Sequence, residues 1–270
     1  MREKLLKCVG GLVIGAGAAS LLVGAGSASA APLSFDGITT QFSENFDSMG
    51  PTGTSAPAGY RVGTNTPEGP TVAVLDVTPG NAYVEGDHLG KLYNVGIVGA
   101  LSDRALSVVN AGANRRVIEL AITNDSAFSI STVSVGYDGE QWGRDGSTGD
   151  RLDFRYAITP TGTTTLADNS ASFVNVDTLD FVAPDAGAIN TLYDANAAAN
   201  RVTFAGTPIA LASTWDPGET LIFHWTDINS TSLNSGLSID NVVVNVTVPE
   251  PTGLIGLGLA AVWPLLRRRR

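Results

Sequence analysis

The chain has 270 residues and carries 16 Lys and Arg against 26 Asp and Glu, a net charge of −10 at pH 7. Seven of the basic residues sit at the two ends, so Ala31 to Leu266 holds nine bases against 25 acids. That balance excludes nucleic acid as a partner, because phosphates need a Lys/Arg surface; it suits solubility and cation binding. The one cysteine, Cys8, lies near the N-terminus, which excludes a disulfide framework in the body.

The first thirty residues have the three parts of a secretory signal peptide. Arg2, Lys4 and Lys7 form a positive start, Val9 to Ala25 is apolar, and Ala28-Ser29-Ala30 has the small-x-small pattern that signal peptidase accepts. Cleavage is expected before Ala31. Cys8 precedes the apolar run, so it does not mark a lipoprotein and leaves with the signal.

Residues 31–248 show no long 3.6-residue period. Short alternating runs are separated by Gly, Pro, Asn and Asp, the pattern of half-buried strands. Gly50 to Pro70 is rich in Pro, Gly and Thr and reads as an irregular surface excursion. Thr71–Val77 is the first run. In Arg116–Thr123, Ile118, Leu120 and Ile122 share a face; Phe128–Tyr137 alternates into Val133, Val135 and Tyr137. Leu152, Phe154, Tyr156 and Ile158 share a face, with Asp153 and Arg155 opposite. Ile189–Asn200 is the one stretch open to a helical reading, with Asp194–Asn200 better read as a loop or single turn. Thr220–Thr226 and Leu237–Val248 complete the series, and Asp216-Pro217-Gly218 is turn chemistry. About a dozen short strands imply one all-β domain, a two-sheet antiparallel sandwich of the jelly-roll or lectin-like kind.

Catalytic signatures are missing from this body. Its two histidines, His88 and His224, are far apart and lack a nucleophile-elbow, H-E-x-x-H or phosphate-loop pattern. His224 sits in a strand beside Trp225 and reads as structural. The expectation is a protein that is not an enzyme. Tyr137-Asp138-Gly139-Glu140-Gln141-Trp142 reads as a strand that ends in a polar turn followed by an exposed aromatic. Glu140, Gln141 and Trp142 are therefore a candidate sugar-binding set: a ring packs on C–H faces while polar groups read hydroxyls. In the other reading Trp142 closes one end of the core and Glu140 pairs with Arg144.

Several segments resemble a broad group of exported bacterial β-sandwich domains. They are Ser43-Glu44-Asn45-Phe46-Asp47-Ser48, Ser102-Asp103-Arg104-Ala105-Leu106, Tyr137 to Trp142, Thr214 to Glu219, His224-Trp225-Thr226-Asp227 and Gly236 to Val242. The resemblance implies no established activity. Leu237-Ser238-Ile239-Asp240-Asn241-Val242 is also similar to the last strand of jelly-roll carbohydrate-binding modules. That resemblance implies a structural calcium on Asp240, with Glu44 or Asp47 as partner. Calcium takes six to eight hard oxygens and would tie the two ends of a disulfide-free chain together.

The tail has three ordered parts. Pro249-Glu250-Pro251 is followed by an apolar run, Gly253 to Leu266, and by Arg267, Arg268, Arg269 and Arg270. Fourteen helical residues reach about 21 Å, short of a bilayer, but snorkelling arginines and local thinning absorb the deficit. The arginines would stay on the cytoplasmic side and the body outside. The tail resembles the PEP-CTERM sorting domain of Gram-negative bacteria, with Trp263-Pro264 as a departure from its usual composition. The resemblance implies processing by the membrane transpeptidase exosortase, with the body released or joined to the cell surface or exopolysaccharide. The expected layout is signal peptide 1–30, β-sandwich 31–248, and sorting tail 249–270 with a transmembrane helix over 253–266. The expected role is structural or adhesive at the cell surface or in the extracellular matrix, through exopolysaccharide or surface glycans. A carbohydrate-binding module and a glycan hydrolase are the alternatives.

Overall fold

A computed structural model describes residues 30–83, 90–100, 102–109, 114–144, 149–228 and 235–249. Residues 1–29 of the expected signal peptide, His88, Glu250, Pro251, residues 253–266 and the four terminal arginines lie outside the described residues. Among the described residues no helix is long and apolar enough to cross a membrane.

The strands in chain order begin with β1 (Leu33–Phe35), β2 (Gln41–Glu44), β3 (Tyr60–Thr64), β4 (Thr66–Gly69) and β5 (Ala73–Val77). Then come β6 (Leu92–Ile97), β7 (Ala105–Val108), β8 (Arg116–Asn124), β9 (Ile130–Arg144) and β10 (Arg151–Thr159). The last are β11 (Val174–Asn175), β12 (Phe181–Val182), β13 (Thr191–Leu192), β14 (Arg201–Trp215), β15 (Thr220–Ile228) and β16 (Gly236–Val246). The only helical elements among the described residues are three short 3-10 turns, at Asp47–Met49, Asp177–Leu179 and Ala198–Asn200.

The strands form two sheets, as the alternating runs predict. The first runs β11-β10-β15-β8-β3-β4, with β1 added parallel to β8 and β12 on β10. The second runs β13-β9-β16-β7-β6-β5, with β14 on β9 and β2 on β16. Most pairs are antiparallel; β1·β8 and β5·β6 are parallel.

The side-chain period of two decides what each sheet buries. Ile118, Leu120 and Ile122 of β8, Phe154 and Tyr156 of β10, and Phe223 and Trp225 of β15 face Val133, Val135 and Tyr137 of β9 and Ile239, Val242 and Val244 of β16 in one core. Tyr137 anchors an aromatic cluster, its ring 4.6 Å from Phe204 and 5.6 Å from Trp225, while its hydroxyl donates to Leu179 O at 2.5 Å. Each fully buried aromatic or aliphatic side chain of this kind contributes about 1.5–3 kcal/mol. A smaller cluster, including Val77, Tyr83, Tyr93, Val95, Trp142 and Leu192, covers part of the second sheet's other side.

Two expectations need correction, and one long strand carries no sequence signal. Gly50–Pro70 is not all irregular: it contains β3 and β4, and Tyr60, Arg61 and Val62 are buried. Its Gly and Pro content hid a strand covered on both faces. Strand β9 does not end in a turn at Asp138-Gly139-Glu140 but runs through it to Arg144. Strand β14 is fifteen residues long, yet the alternation does not announce it. One face lies largely in water and its pairing with β9 slips twice, after Phe204 and after Ala210, so no apolar period of two survives. Ile189–Asn200 holds only β13 and a single 3-10 turn.

Candidate functional site

Because β9 continues, Glu140, Gln141 and Trp142 alternate across a buried strand, at 1%, 0% and 2% exposure. Trp142 is not an exposed platform. Its Nε1 donates to Glu140 Oε2 at 3.1 Å and to Ser238 Oγ at 2.9 Å, and its ring belongs to the smaller cluster. Gln141 donates to Asp185 Oδ1 and Ser235 Oγ and accepts from the Asp185 amide. Arg144 pairs with Asp185, not with Glu140. The sugar-binding reading of this triplet fails on burial.

Glu140 is still unusual. Its Oε1 and the Oδ1 of Asp240 are buried without a hydrogen-bond partner. Asp240 lies opposite Asp138 in the β9–β16 ladder, just before a register shift between Asp240 and Val243. Asn241 sits in that shift with φ +48° and donates from Nδ2 to Asp240 Oδ2 at 2.9 Å and Asp138 Oδ2 at 3.0 Å. Asn tolerates this left-handed conformation better than most residues. Burial, reinforced by the Asp240 charge, pushes the Glu140 carboxyl up to about 8. Burial first, and then the charges of Asp103, Asp138 and Asp47, push Asp240 up to about 7, against an opposing backbone bond from Asn241.

The expected first-strand partners are otherwise engaged. Glu44 Oε1 accepts from the amide of Phe46 at 2.7 Å, which holds that bulky, fully buried residue at φ +57°. Asp47 Oδ1 accepts from the Arg104 amide at 3.1 Å and Oδ2 from Asn45 at 2.8 Å. Among the described residues no group of three or more His, Cys, Asp and Glu is placed to hold a metal ion. What suits a cation here is the donor chemistry: two buried carboxylate oxygens, on Asp240 and Glu140, with nothing to accept.

Beside this cluster lies an open groove of about 450 Å³ along β2 and β16, lined by Ser43, Glu44, Asn45, Ser48, Asn241, Val242 and Val243. Its lining holds one carboxylate, five hydrogen-bonding side chains in all and no aromatic ring.

The first sheet carries a second polar assembly on its outer side, which the alternation left as an ordinary solvent face. Arg155, His224, Glu119 and Arg61 stand in direct register across β10, β15, β8 and β3. None is free in water: Arg61 is 1% exposed and Glu119 and His224 are fully buried. Glu119 Oε1 takes Arg61 Nη1 at 3.1 Å, and Oε2 lies 2.9 Å from His224 Nε2. Burial pushes the His224 pKa down; the Glu119 bond opposes it. His224 is thus a structural residue, as its strand context suggests. The signal for the row was Glu119 between Ile118 and Leu120, and Arg155 between Phe154 and Tyr156. Sequence cannot show that residues 160–173 lie over them.

Arg104, from the Ser-Asp-Arg-Ala-Leu element, is another buried charge. It clamps Asn94 through Nε at 2.7 Å and Asp76 through Nη1 at 2.8 Å, while Asn94 donates to Gly50 O and Gly53 O. That element ties loops together.

No protein-family model matches the chain, and no curated protein matches it. Among solved structures it is similar to the CBM22-1 xylan-binding domain of Paenibacillus barcinonensis Xyn10C, at 12% identity and TM-score 0.34, over 77% of this chain and 94% of that one. It is also similar to the K3 adhesin domain of Lys-gingipain from Porphyromonas gingivalis, at 11% identity and TM-score 0.35, over 75% and 95%. A third is TmCBM61 in complex with β-1,4-galactotriose, at 9% identity and TM-score 0.32, over 72% and 92%. None of these scores reaches 0.5, and no residue correspondence follows from them.

Proposed function

We propose that this chain is an exported, non-enzymatic protein of the Gram-negative cell surface or extracellular matrix, and that its jelly-roll body adheres through glycan. The observation that carries the reading is the groove beside Asn241. Hydroxyl, amide and carboxylate groups line it, a surface that suits sugar hydroxyls, and its shallow form suits a chain. Glycoside hydrolysis ordinarily needs two carboxyl groups about 5–10 Å apart, and Glu44 is the one carboxylate in this lining. The signal peptide and the tail supply the address: export first, then exosortase processing at Pro249-Glu250-Pro251.

A calcium ion at Asp240 and Glu140 belongs to the same proposal. It would neutralise two buried carboxylates and fasten β16 to β9, with Glu44 left to its turn. The ion's role is structural.

The test is a glycan array probed with residues 31–248, followed by titration of the best hit. Ser43→Arg fills the groove from an exposed position on β2 and is expected to weaken binding at least tenfold. Binding to no glycan, host exopolysaccharide included, would leave a purely structural matrix role. Binding untouched by Ser43→Arg would move the site away from the groove.

A further inference from the structure

The segment between β10 and β11, residues 160–173, crosses the outer side of the first sheet as a strap. Its grip on the sheet is almost entirely polar. Arg61 Nη1 donates to Thr164 O at 2.6 Å, while Thr165 Oγ1 and the Leu166 amide donate to Glu119 Oε2 at 3.0 and 3.4 Å. The Asp168 amide donates to Asn65 O at 2.6 Å. Residues 161–167 are exposed or half-buried. The one ring contact is Phe173, 4.3 Å from the His224 ring and 5.0 Å from the Arg155 guanidinium.

At the strap's centre the Asp168 carboxylate, 1% exposed, fills a pocket of donors. Oδ1 takes Arg155 Nη2 and Thr226 Oγ1, Oδ2 takes Arg115 Nη1 at 3.2 Å, and His224 Nδ1 stands 3.6 Å away. The pocket leaves one donor over: Arg155 Nε is buried and meets no acceptor, and three strands away on the same face Arg61 Nη2, beside Glu119, is also buried without one. Buried donors without acceptors are costly, roughly 1–3 kcal/mol each and more when charged. The face therefore has capacity for a carboxylate accompanied by further oxygens. A sugar acid has that form: its carboxylate hangs from a ring that carries an ether oxygen and hydroxyls.

We propose that this covered face binds a uronate-bearing glycan, with Asp168 of the strap occupying the carboxylate's place until the strap lifts. The exchange is carboxylate for carboxylate, so the guanidinium groups of Arg155 and Arg115 are not left unpaired in the bound state, the situation that makes breaking a buried ion pair expensive. The strap has little apolar area to lose on lifting. This inference rests on the glycan reading above but uses the opposite sheet, so the two can fail separately.

The experiment takes residues 31–248 with oligogalacturonate as probe and the uncharged galactose oligomer as control. Calorimetry reads affinity, and amide hydrogen exchange reads the strap. The wild type is expected to bind oligogalacturonate and to lose protection at the Leu166 and Asp168 amides, with no such loss for the neutral oligomer. Asp168→Asn removes the internal competitor and should tighten uronate binding at least tenfold. Arg115→Gln, at an arginine whose side chain is 43% exposed, should weaken it several-fold at only a small cost in melting temperature, because Arg155 and Thr226 still hold Asp168. Unchanged strap protection in the wild type, with no uronate binding, overturns the proposal even if Asp168→Asn fails to fold. Neutral-glycan binding that is sensitive to Ser43→Arg would then leave the groove reading standing alone. Uronate binding that survives Ser43→Arg and opens the strap would support the covered face and count against the groove.

Discussion

Glu119 Oε2 and His224 Nε2 lie 2.9 Å apart in direct register between β8 and β15, and neither side chain is exposed. The pair is the middle of the charged row, and Glu119 also answers the charge of Arg61. Glu119→Gln leaves that guanidinium buried without a counter-charge. The expected loss is roughly 3–5 kcal/mol, the range for breaking a buried ion pair from one side. Urea unfolding at pH 7 measures it. A loss under about 1 kcal/mol, the value of a surface pair, would mean that water reaches the row.

The same pair sets an acid limit. Burial holds the His224 pKa below its ordinary 6.5, so as pH falls the unfolded chain takes up this proton before the folded one does. Its contribution to stability is complete above about 6.5 and shrinks as pH drops below that value. His224→Gln should flatten the stability–pH curve just below pH 6.5. Identical slopes for variant and wild type would remove His224 as the cause.

Glu140 and Asp240 act in the opposite sense. Their folded pKa values, about 8 and about 7, stand above the ordinary 4.5 and 3.8. The folded state holds these protons more tightly, so the contribution of these two groups to stability is complete below about pH 4 and is lost as pH rises through the folded values. In EDTA, Glu140→Gln and Asp240→Asn should each be more stable than wild type at pH 8, because an uncharged side chain of the same shape escapes the desolvation cost. Added calcium should raise the wild-type melting temperature; a hundredfold excess over Kd corresponds to about 2.7 kcal/mol. Both variants should lose that response. A melting temperature indifferent to calcium and EDTA would leave protons as the only charge compensation at this pair and would end the calcium proposal.

Gly139 shows how a buried strand can carry a turn-like sequence. Asp-Gly-Glu looks like a turn, but a Cβ on Gly139 would stand 2.3 Å from the Phe181 ring. The glycine is there so that an aromatic ring can lie against the strand, as Gly143 does for Tyr83 at 2.3 Å. Gly139→Ala should destabilise by about 1–3 kcal/mol, the usual cost of overpacking, without changing the strand content seen by circular dichroism. A loss of strand signal at equal concentration of folded protein would point instead to a backbone role for Gly139.

The fold was legible wherever one face of a strand meets the core and the other does not. Ile118, Leu120 and Ile122, and Phe154 and Tyr156, alternate for that reason, and β8, β10 and β15 follow from them. Period-two reasoning failed where both faces are covered, as at Arg61, Trp142 and Asp240, or where little is covered, as along much of β14. Charge pairing was the least legible feature. Glu44, Asp47 and Asp240 are separated in sequence and lie at neighbouring points of the fold, but Glu44 is spent on the Phe46 amide and Asp47 on Arg104. The neighbours of Asp240 also include Asp138 and Glu140 of β9, a strand whose path there reads as a turn. Asp168 belongs to a loop with no pattern of its own, and only its contacts with Arg155 and Arg115 distinguish it.

The address proposed for the chain is testable apart from its fold. Pro249 is exposed, three residues beyond the end of β16, so a protease acting at Pro249-Glu250-Pro251 would not have to unfold the sandwich to reach the start of its motif. If exosortase recognises that motif, Glu250→Ala expressed in the native host should stay in the membrane fraction with its tail intact. The wild-type body should be released or surface-linked and shorter by the tail. Intact-mass analysis of each fraction distinguishes the two, and the same spectra should place the N-terminus at Ala31. Normal processing of Glu250→Ala would exclude recognition through that carboxylate, and a wild-type mass that includes residues 253–270 at the cell surface would replace sorting with a plain tail anchor.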